Sequence, residues 1–154
     1  MKRRIAILEK EIKRITIKGS SGYCSYEYVY EDKLSITPDS ISYEFVPALN
    51  SHIRKPRKWT YKTDNPEFRE NFTAIAAGVK EALVNDTIAF CTDVGGIEFI
   101  VSYDDRTRDR RQFWCTAEDF KELFALIKRL VPAIEEVPET LKTNEDYEDE
   151  DSDL

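Results

Sequence analysis

The sequence predicts an α+β fold in which an antiparallel sheet of five to seven strands carries two main helices on one face. Short runs of alternating apolar and polar residues recur along the chain, and Gly, Pro, Asp and Ser separate them as turns. Two longer runs repeat apolar residues at the spacing of a helix with one buried face. With 154 residues, the chain has material for one compact domain, which we place at residues 1–143.

The first half of the chain is predicted to be mostly strands. Residues 2–13 are expected to form a short helix, after which Ile15 and Ile17 alternate with polar residues in an extended run over 14–18. A turn at 38–40 separates two further strands. The other strands predicted in this half are 23–30, which is rich in tyrosine, 34–37, 41–46 and 59–63, while 47–58 is predicted to be a loop.

The second half contains both main helices. The first is predicted over 66–84, because Asp64 or Asn65 can cap it and a proline suits its first turn. The second is predicted to begin at Thr116, which forms a capping box with Asp119. Strands are predicted at 88–91, 97–103 and 112–115, a charged loop at 104–111, and a loosely packed final turn at 134–143.

The two helices share a sequence pattern. Residues 67–75 and 119–127 both read acid-Phe-base-Glu-x-Phe-x-x-Ile, and the strands at 41–46 and 97–103 precede them in corresponding order. One explanation is an internal duplication of a strand-loop-strand-helix unit. The other is that two amphipathic helices have converged on similar patterns.

The tyrosine-rich segment 23–30 is a candidate part of a binding surface on the sheet. If both helices cover one face, the other face is wet or available to a partner. Tyrosine suits such a surface because its ring is apolar and its hydroxyl is polar. The alternative is that these side chains pack against the core. The residues that would share one side of strand 23–30 are Cys24, Tyr26, Tyr28 and Tyr30.

The negative charge is concentrated at the C-terminus. The formal net charge is −7, and residues 144–154 contain seven acids and no base. The 23 Lys and Arg residues therefore lie in 1–143, where 23 acids balance them. We expect 144–154 to be a disordered acidic tail, since such a segment buries too little apolar surface to order itself. It either engages a basic surface or only aids solubility.

The composition excludes several classes of protein. No run approaches the 18 apolar residues of a membrane span, and the apolar run after the basic N-terminus is too short for a secretory signal, so we expect a cytoplasmic protein without membrane partners. Cys24, Cys91 and Cys115 have no disulfide or zinc-site spacing. His52 is the only histidine, and no nucleophile motif accompanies it. We therefore expect no catalytic, metal or cofactor site, and a non-enzymatic protein.

Two basic-aromatic clusters are the candidate binding residues. Cations that track a phosphate backbone, together with rings for base stacking, are typical of proteins that hold single-stranded nucleic acid. The alternative is that these are solvated hairpins whose tryptophans belong to the core. The clusters comprise Arg54, Lys55, Arg57, Lys58, Trp59 and Tyr61 in one hairpin, and Arg106, Arg108, Arg110, Arg111 and Trp114 in the other.

Four segments resemble a group of small uncharacterised bacterial cytosolic proteins of unknown function. They are 58–63 (KWTYKT), 91–99 (CTDVGGIEF), 120–124 (FKELF) and 127–132 (IKRLVP). The resemblance covers roughly residues 58–141 and implies a bacterial, cytosolic origin. It implies no activity, cofactor or site residue.

The function that the sequence favours is a cytosolic macromolecule-binding protein, acting as a protein-interaction or regulatory module through the open sheet face and the hairpin tips. One alternative is nucleic-acid binding through the two hairpins, with the acidic tail as competitor. A further alternative is that the tail mimics nucleic acid and inhibits a partner enzyme. A homodimer is a further alternative, because the edge strands of an open antiparallel sheet present unpaired backbone groups.

Overall fold

The architecture is the predicted α+β fold. The computed structural model describes residues 7–22, 24–49, 51–85 and 95–152. The strands are β1 (Ile12–Ser20), β2 (Tyr30–Thr37), β3 (Ser40–Pro47), β4 (Arg57–Lys62), β5 (Ile97–Tyr103) and β6 (Arg108–Phe113). The helices are α1 (Pro66–Val84), α2 (Lys121–Lys128) and α3 (Asn144–Ser152). All six strands form one antiparallel sheet in the order β4-β3-β2-β1-β5-β6.

Alternation along the strands gives the sheet one buried face. On β1 and β2, Ile15, Ile17, Leu34 and Ile36 are fully buried, and β5 alternates between buried and half-buried positions along its whole length. This side carries α1 and α2. Four phenylalanines from β5, β6 and the start of α2 pack there with their rings mostly edge to face: Phe99, Phe113, Phe120 and Phe124.

The first main helix has the predicted bounds. The side chain of Asn65 accepts a hydrogen bond from the backbone N–H of Glu67, and Pro66 occupies the first turn. Gly78 allows α2 to approach closely, since a Cβ at this position would lie 2.7 Å from a methyl group of Leu123. The two helices therefore form one layer over the sheet.

Two predictions for the N-terminal half are wrong. Strand β1 begins at Ile12, so of the helix predicted over 2–13 the described part is helical only at 7–9. The tyrosine-rich segment forms a 3-10 turn over Tyr26–Tyr28 instead of a strand, because the N–H groups of Tyr28 and Val29 bond to nearby carbonyls of the same segment and not to a neighbouring strand. Residue 23 and the strand predicted at 88–91, with Cys91, lie outside the described residues.

Three details of the C-terminal half also differ. Strand β6 occupies much of the loop predicted over 104–111, because its residues pair with β5. Thr116 makes no side-chain cap, and the chain enters α2 through a 3-10 turn at Ala117–Phe120. The segment 134–143 is not loosely packed: Thr140, Leu141 and Thr143 are buried.

The acidic segment is helical over Asn144–Ser152, whereas the sequence leads us to expect disorder. Contacts with the body account for the difference. Asp146 pairs with Lys128 of α2, Glu150 pairs with Lys142, and the Tyr147 hydroxyl donates to Glu139 (3.0 Å). These contacts hold α3 on the side of the molecule that carries the helices.

Each outer hairpin of the sheet is followed by a helix, β3–β4 by α1 and β5–β6 by α2. The strand-loop-strand-helix order is thus present twice, while duplication as its origin stays a prediction. Within the described ranges, no helix has both the length and the apolar character needed to cross a membrane.

Candidate binding surface

The sheet face opposite α1 and α2 is not covered by any described element. Its centre carries small side chains: Ser42, Ser35 and Thr16 lie side by side on β3, β2 and β1, and Ile100 follows on β5. Larger residues lie to either side of this row. The result is a shallow depression on this face of the sheet.

Five cationic side chains surround a concavity of about 500 Å³ on this face. All five are exposed, and none has an ion-pair partner among the described residues. Three hydroxyl residues, Thr16, Ser35 and Ser102, line its floor. We call this site the basic concavity and define it by Arg14, Lys18, Lys33, Arg108 and Arg110.

Strand geometry places these cations. A bulge in β1 between Ile12 and Arg14 breaks the alternation, so Ile12 stays in the core while Arg14 is exposed. The Arg14 guanidinium donates to the hydroxyl of Ser35 (2.9 Å). Arg108 and Arg110 project from β6 opposite Ser102 and Ile100 of β5.

Lys18 and Lys33 are directly opposite each other on β1 and β2. Like charges at directly opposed positions destabilise an antiparallel pair. Each lysine also lies directly opposite a glutamate on its other side, Lys18 opposite Glu98 of β5 and Lys33 opposite Glu44 of β3, and these pairs offset part of the repulsion. An anion bound between the two lysines would reduce the repulsion that remains.

The opposite end of the same face is acidic. A neighbouring concavity of about 390 Å³ is lined by Glu31, Glu44 and Glu98, and it shares Lys18 and Lys33 with the basic concavity. The open face is therefore divided along the strands into a basic end and an acidic end. A ligand of uniform charge is therefore complementary in charge to only one end of this face.

The first predicted cluster spans β4 and the residues just before it, and its members do not share one face of the sheet. Arg54 pairs with Glu139, and Arg57 pairs with Glu136 and donates to the Val137 carbonyl (3.1 Å), so both arginines hold residues 134–143, here called the C-terminal segment, on the core side. The remaining members are Lys55 and Lys58, which are exposed, Trp59, which packs on Tyr43, and Tyr61, which packs on Phe68.

The second predicted cluster is also divided. Arg111 faces the helices, where its guanidinium donates to the carbonyls of Ala82 (3.0 Å) and Leu83 (3.2 Å) at the end of α1. Arg106 lies in the β5–β6 turn, and Trp114 follows β6 as a half-exposed ring beside Gly96. Arg108 and Arg110 belong to the basic concavity.

The two clusters do not meet. Strands β4 and β6 are the opposite edges of the sheet, five interstrand spacings or about 24 Å apart. The sequence-based candidates do not include Arg14, Lys18 and Lys33, although each lies within a strand at a position that faces away from the core. Only the strand order, which brings β1 between β2 and β5, shows that they converge.

A buried polar network occupies the core side of the sheet. Asp32 accepts hydrogen bonds from the Tyr43 hydroxyl (2.7 Å) and the Thr140 N–H (2.9 Å), and Tyr43 accepts from the Glu139 N–H (3.0 Å). Burial raises the pKa of Asp32 to about 6, although these hydrogen bonds lower it. Burial likewise raises the pKa of Tyr43.

Glu139 stays ionised within this network. Burial acts to raise its pKa, but Lys142 and Arg54 hold the pKa of Glu139 below its ordinary value. Because these charged groups bond to one another, the network fastens the C-terminal segment to the sheet and leaves few groups to receive a ligand.

Among the described residues, no group of three or more His, Cys, Asp and Glu is arranged to hold a metal ion. Comparison with protein-family models and with curated proteins finds no match for this chain. The resemblance of its four segments to small bacterial proteins stays a prediction.

Proposed function

We propose that this chain is a non-enzymatic macromolecule-binding protein that holds an acidic segment of a protein partner on the open face of its sheet. The observation that carries this proposal is the basic concavity, with five cations that lack ion-pair partners among the described residues. Cations left exposed and unpaired around one depression supply electrostatic complementarity to an acidic ligand.

The division of the open face favours a protein partner. A continuous phosphate backbone running along the strands would pass from the basic concavity to Glu31, Glu44 and Glu98, which repel it. A protein segment can end its acidic stretch after a few residues and present bases or hydroxyls to the acidic end. The mixed charge therefore selects a ligand of limited length.

Nucleic acid is the second candidate, favoured by the arginines beside hydroxyl groups, which suit phosphate. Against it, none of the six described strands places an aromatic side chain on this face, so bases have no ring to stack on. Trp114 follows β6 and lies beside Gly96, outside the lining of the basic concavity.

The test uses full-length protein and two labelled probes, an oligoglutamate peptide and an oligonucleotide in single- and double-stranded form. We expect the peptide to bind at low salt and to be released as salt rises. The variant K33Q/R110Q, which removes two cations of the basic concavity, should weaken peptide binding by about tenfold, since two partly screened charge contacts are lost.

The matched control is K121Q/R129Q, which makes the same change in net charge at two exposed positions, one at the start of α2 and one just after its end, and should leave affinity within about twofold. Equal losses in both variants would show only a long-range charge effect and would overturn the site. Nucleotide binding that is tighter than peptide binding and lost in K33Q/R110Q would replace the proposal with the second candidate. Failure of both probes to bind would reject it.

A further inference from the structure

We propose that the acidic segment that occupies the basic concavity is the C-terminal helix α3 of a second copy of this chain. The inference rests on the proposed function, because it names the occupant of the same surface. It predicts self-association that is driven by charge and weakened by salt.

Charge complementarity is the first argument. The seven acids of residues 144–154 account for the whole formal net charge of −7, and the rest of the chain is formally neutral. The lining of the basic concavity contains five cations and one acid, Asp109, whose carboxylate accepts a hydrogen bond from the Tyr103 hydroxyl, so positive charge is in local excess within that neutral body. The chain thus carries a polyanion and a matching group of unpaired cations.

The orientation of α3 is the second argument. Asp146 and Glu150, one turn apart, face the body and pair with Lys128 and Lys142. Glu145 and Glu148 lie three residues apart on the other side of the helix, are exposed, and have no ion-pair partner among the described residues. One side of α3 is fixed to its own chain while the other presents carboxylates outward.

Position within the fold makes the contact intermolecular. The contacts that hold α3 come from α2 and from the segment fastened to the core side of the sheet. The basic concavity lies on the opposite face. The sheet therefore stands between α3 and the concavity of the same chain, so the outward carboxylates of an anchored α3 can reach only the concavity of a neighbour.

Charge exchange between full-length proteins tests this contact. The variant K33E/R110E makes the concavity acidic, and E145K/E148K makes the outward side of α3 basic. We expect sedimentation velocity at about 0.01 M salt, where the screening length is about 30 Å, to show association of the native protein. Each variant alone should associate at least about tenfold more weakly, because like charges then meet.

An equimolar mixture of the two variants should recover association. In the mixture, the native α3 of K33E/R110E meets the native concavity of E145K/E148K, and the two reversed surfaces also match. Circular dichroism of each variant verifies that it is folded. A mixture that stays as weak as its components overturns the inference, as does association of both single variants at the native strength, which would point to strand edges.

Oligoglutamate binding separates this inference from the proposed function. If the native protein remains monomeric at about 0.01 M salt and still binds oligoglutamate at the concavity, the inference fails and the proposed function stands with another acidic protein as partner. If neither association nor peptide binding occurs, both fail. Association that persists at about 1 M salt would contradict a charge-driven contact.

Discussion

Asp32 shows how a single carboxylate can weaken a fold that it also organises. It is 4% exposed, and one of its oxygens accepts two hydrogen bonds while the other has no partner. The Thr140 hydroxyl is also buried without a partner. Both unpartnered atoms lie beside Gly19, where a Cβ would be 2.3 Å from the Asp32 oxygen and 2.6 Å from the Thr140 oxygen. Glycine at this position leaves room for the two groups.

The raised pKa of Asp32 gives a prediction with a definite sign. Its pKa is 3.8 in the unfolded reference and about 6 in the folded protein, so the folded state binds the proton more tightly. The associated stability is complete below about pH 4 and is lost as the pH rises through about 6, an effect on the order of 2 to 3 kcal/mol. We therefore expect Asp32→Asn to raise the free energy of unfolding at about pH 8, because the amide keeps an acceptor for Tyr43 and Thr140 without the charge.

Chemical denaturation of the native protein and of D32N at several pH values checks this prediction. Glu139 titrates with the opposite sign, since its pKa is lowered and its contribution is lost on acidification. Subtracting one stability curve from the other largely removes that shared contribution. A D32N protein that is less stable than the native one at about pH 8 would show that the ionised carboxylate is needed.

At the scale of an element, β6 carries arginines with different tasks on its two faces. Arg111 points to the helices and donates to two carbonyls at the C-terminal end of α1, where a cation also interacts favourably with the helix dipole. Its guanidinium lies 4.7 Å from the centre of the Phe113 ring. Arg110 points to the open face and is exposed.

Replacing each arginine in turn separates these tasks. We expect Arg111→Met to lower the free energy of unfolding by about 1 to 2 kcal/mol, because the helix end loses a charged donor while the apolar stem is kept. Arg110→Met, the matched control, should change stability by less than about 0.5 kcal/mol and weaken oligoglutamate binding. If R110M were instead the less stable protein, the assignment of Arg111 to the helix side and Arg110 to the open face would be wrong.

Arg110 and Arg111 also show which features of the fold a local sequence pattern cannot predict. Periodicity predicts five of the six described strands and the extent of α1, because each of these depends on neighbours in sequence. The same pattern groups Arg110 with Arg111, since the loop predicted over 104–111 assigns neither residue a face. Pairing with β5 determines which face of the sheet each of the two arginines occupies. The basic concavity needs strand order as well, because its cations come from β1, β2 and β6.

At the scale of the whole molecule, residues 134–143, which the sequence predicts to be a loosely packed final turn, complete the core. Residues after α2 lack a strong periodic pattern, yet Leu141 is fully buried, and Thr140 and Glu139 reach the sheet through Asp32 and Tyr43. Arg57 of β4 and Arg54, which precedes this strand, hold the same segment through ion pairs. The placement of α3, and with it the direction in which its acids point, depends on this closure.

Truncating one buried and one exposed side chain of this segment tests whether it belongs to the cooperative core. Leu141→Ala should lower the free energy of unfolding by about 2 to 4 kcal/mol, since a fully buried leucine leaves a cavity when it is shortened. Ile134→Ala is the matched control, because Ile134 is 91% exposed in the same segment and its loss should have little effect. Thermal unfolding with limited proteolysis after α2 measures both. If L141A kept native stability while the segment became cleavable, the segment would unfold separately from the core. The fold would then not fix the outward face of α3.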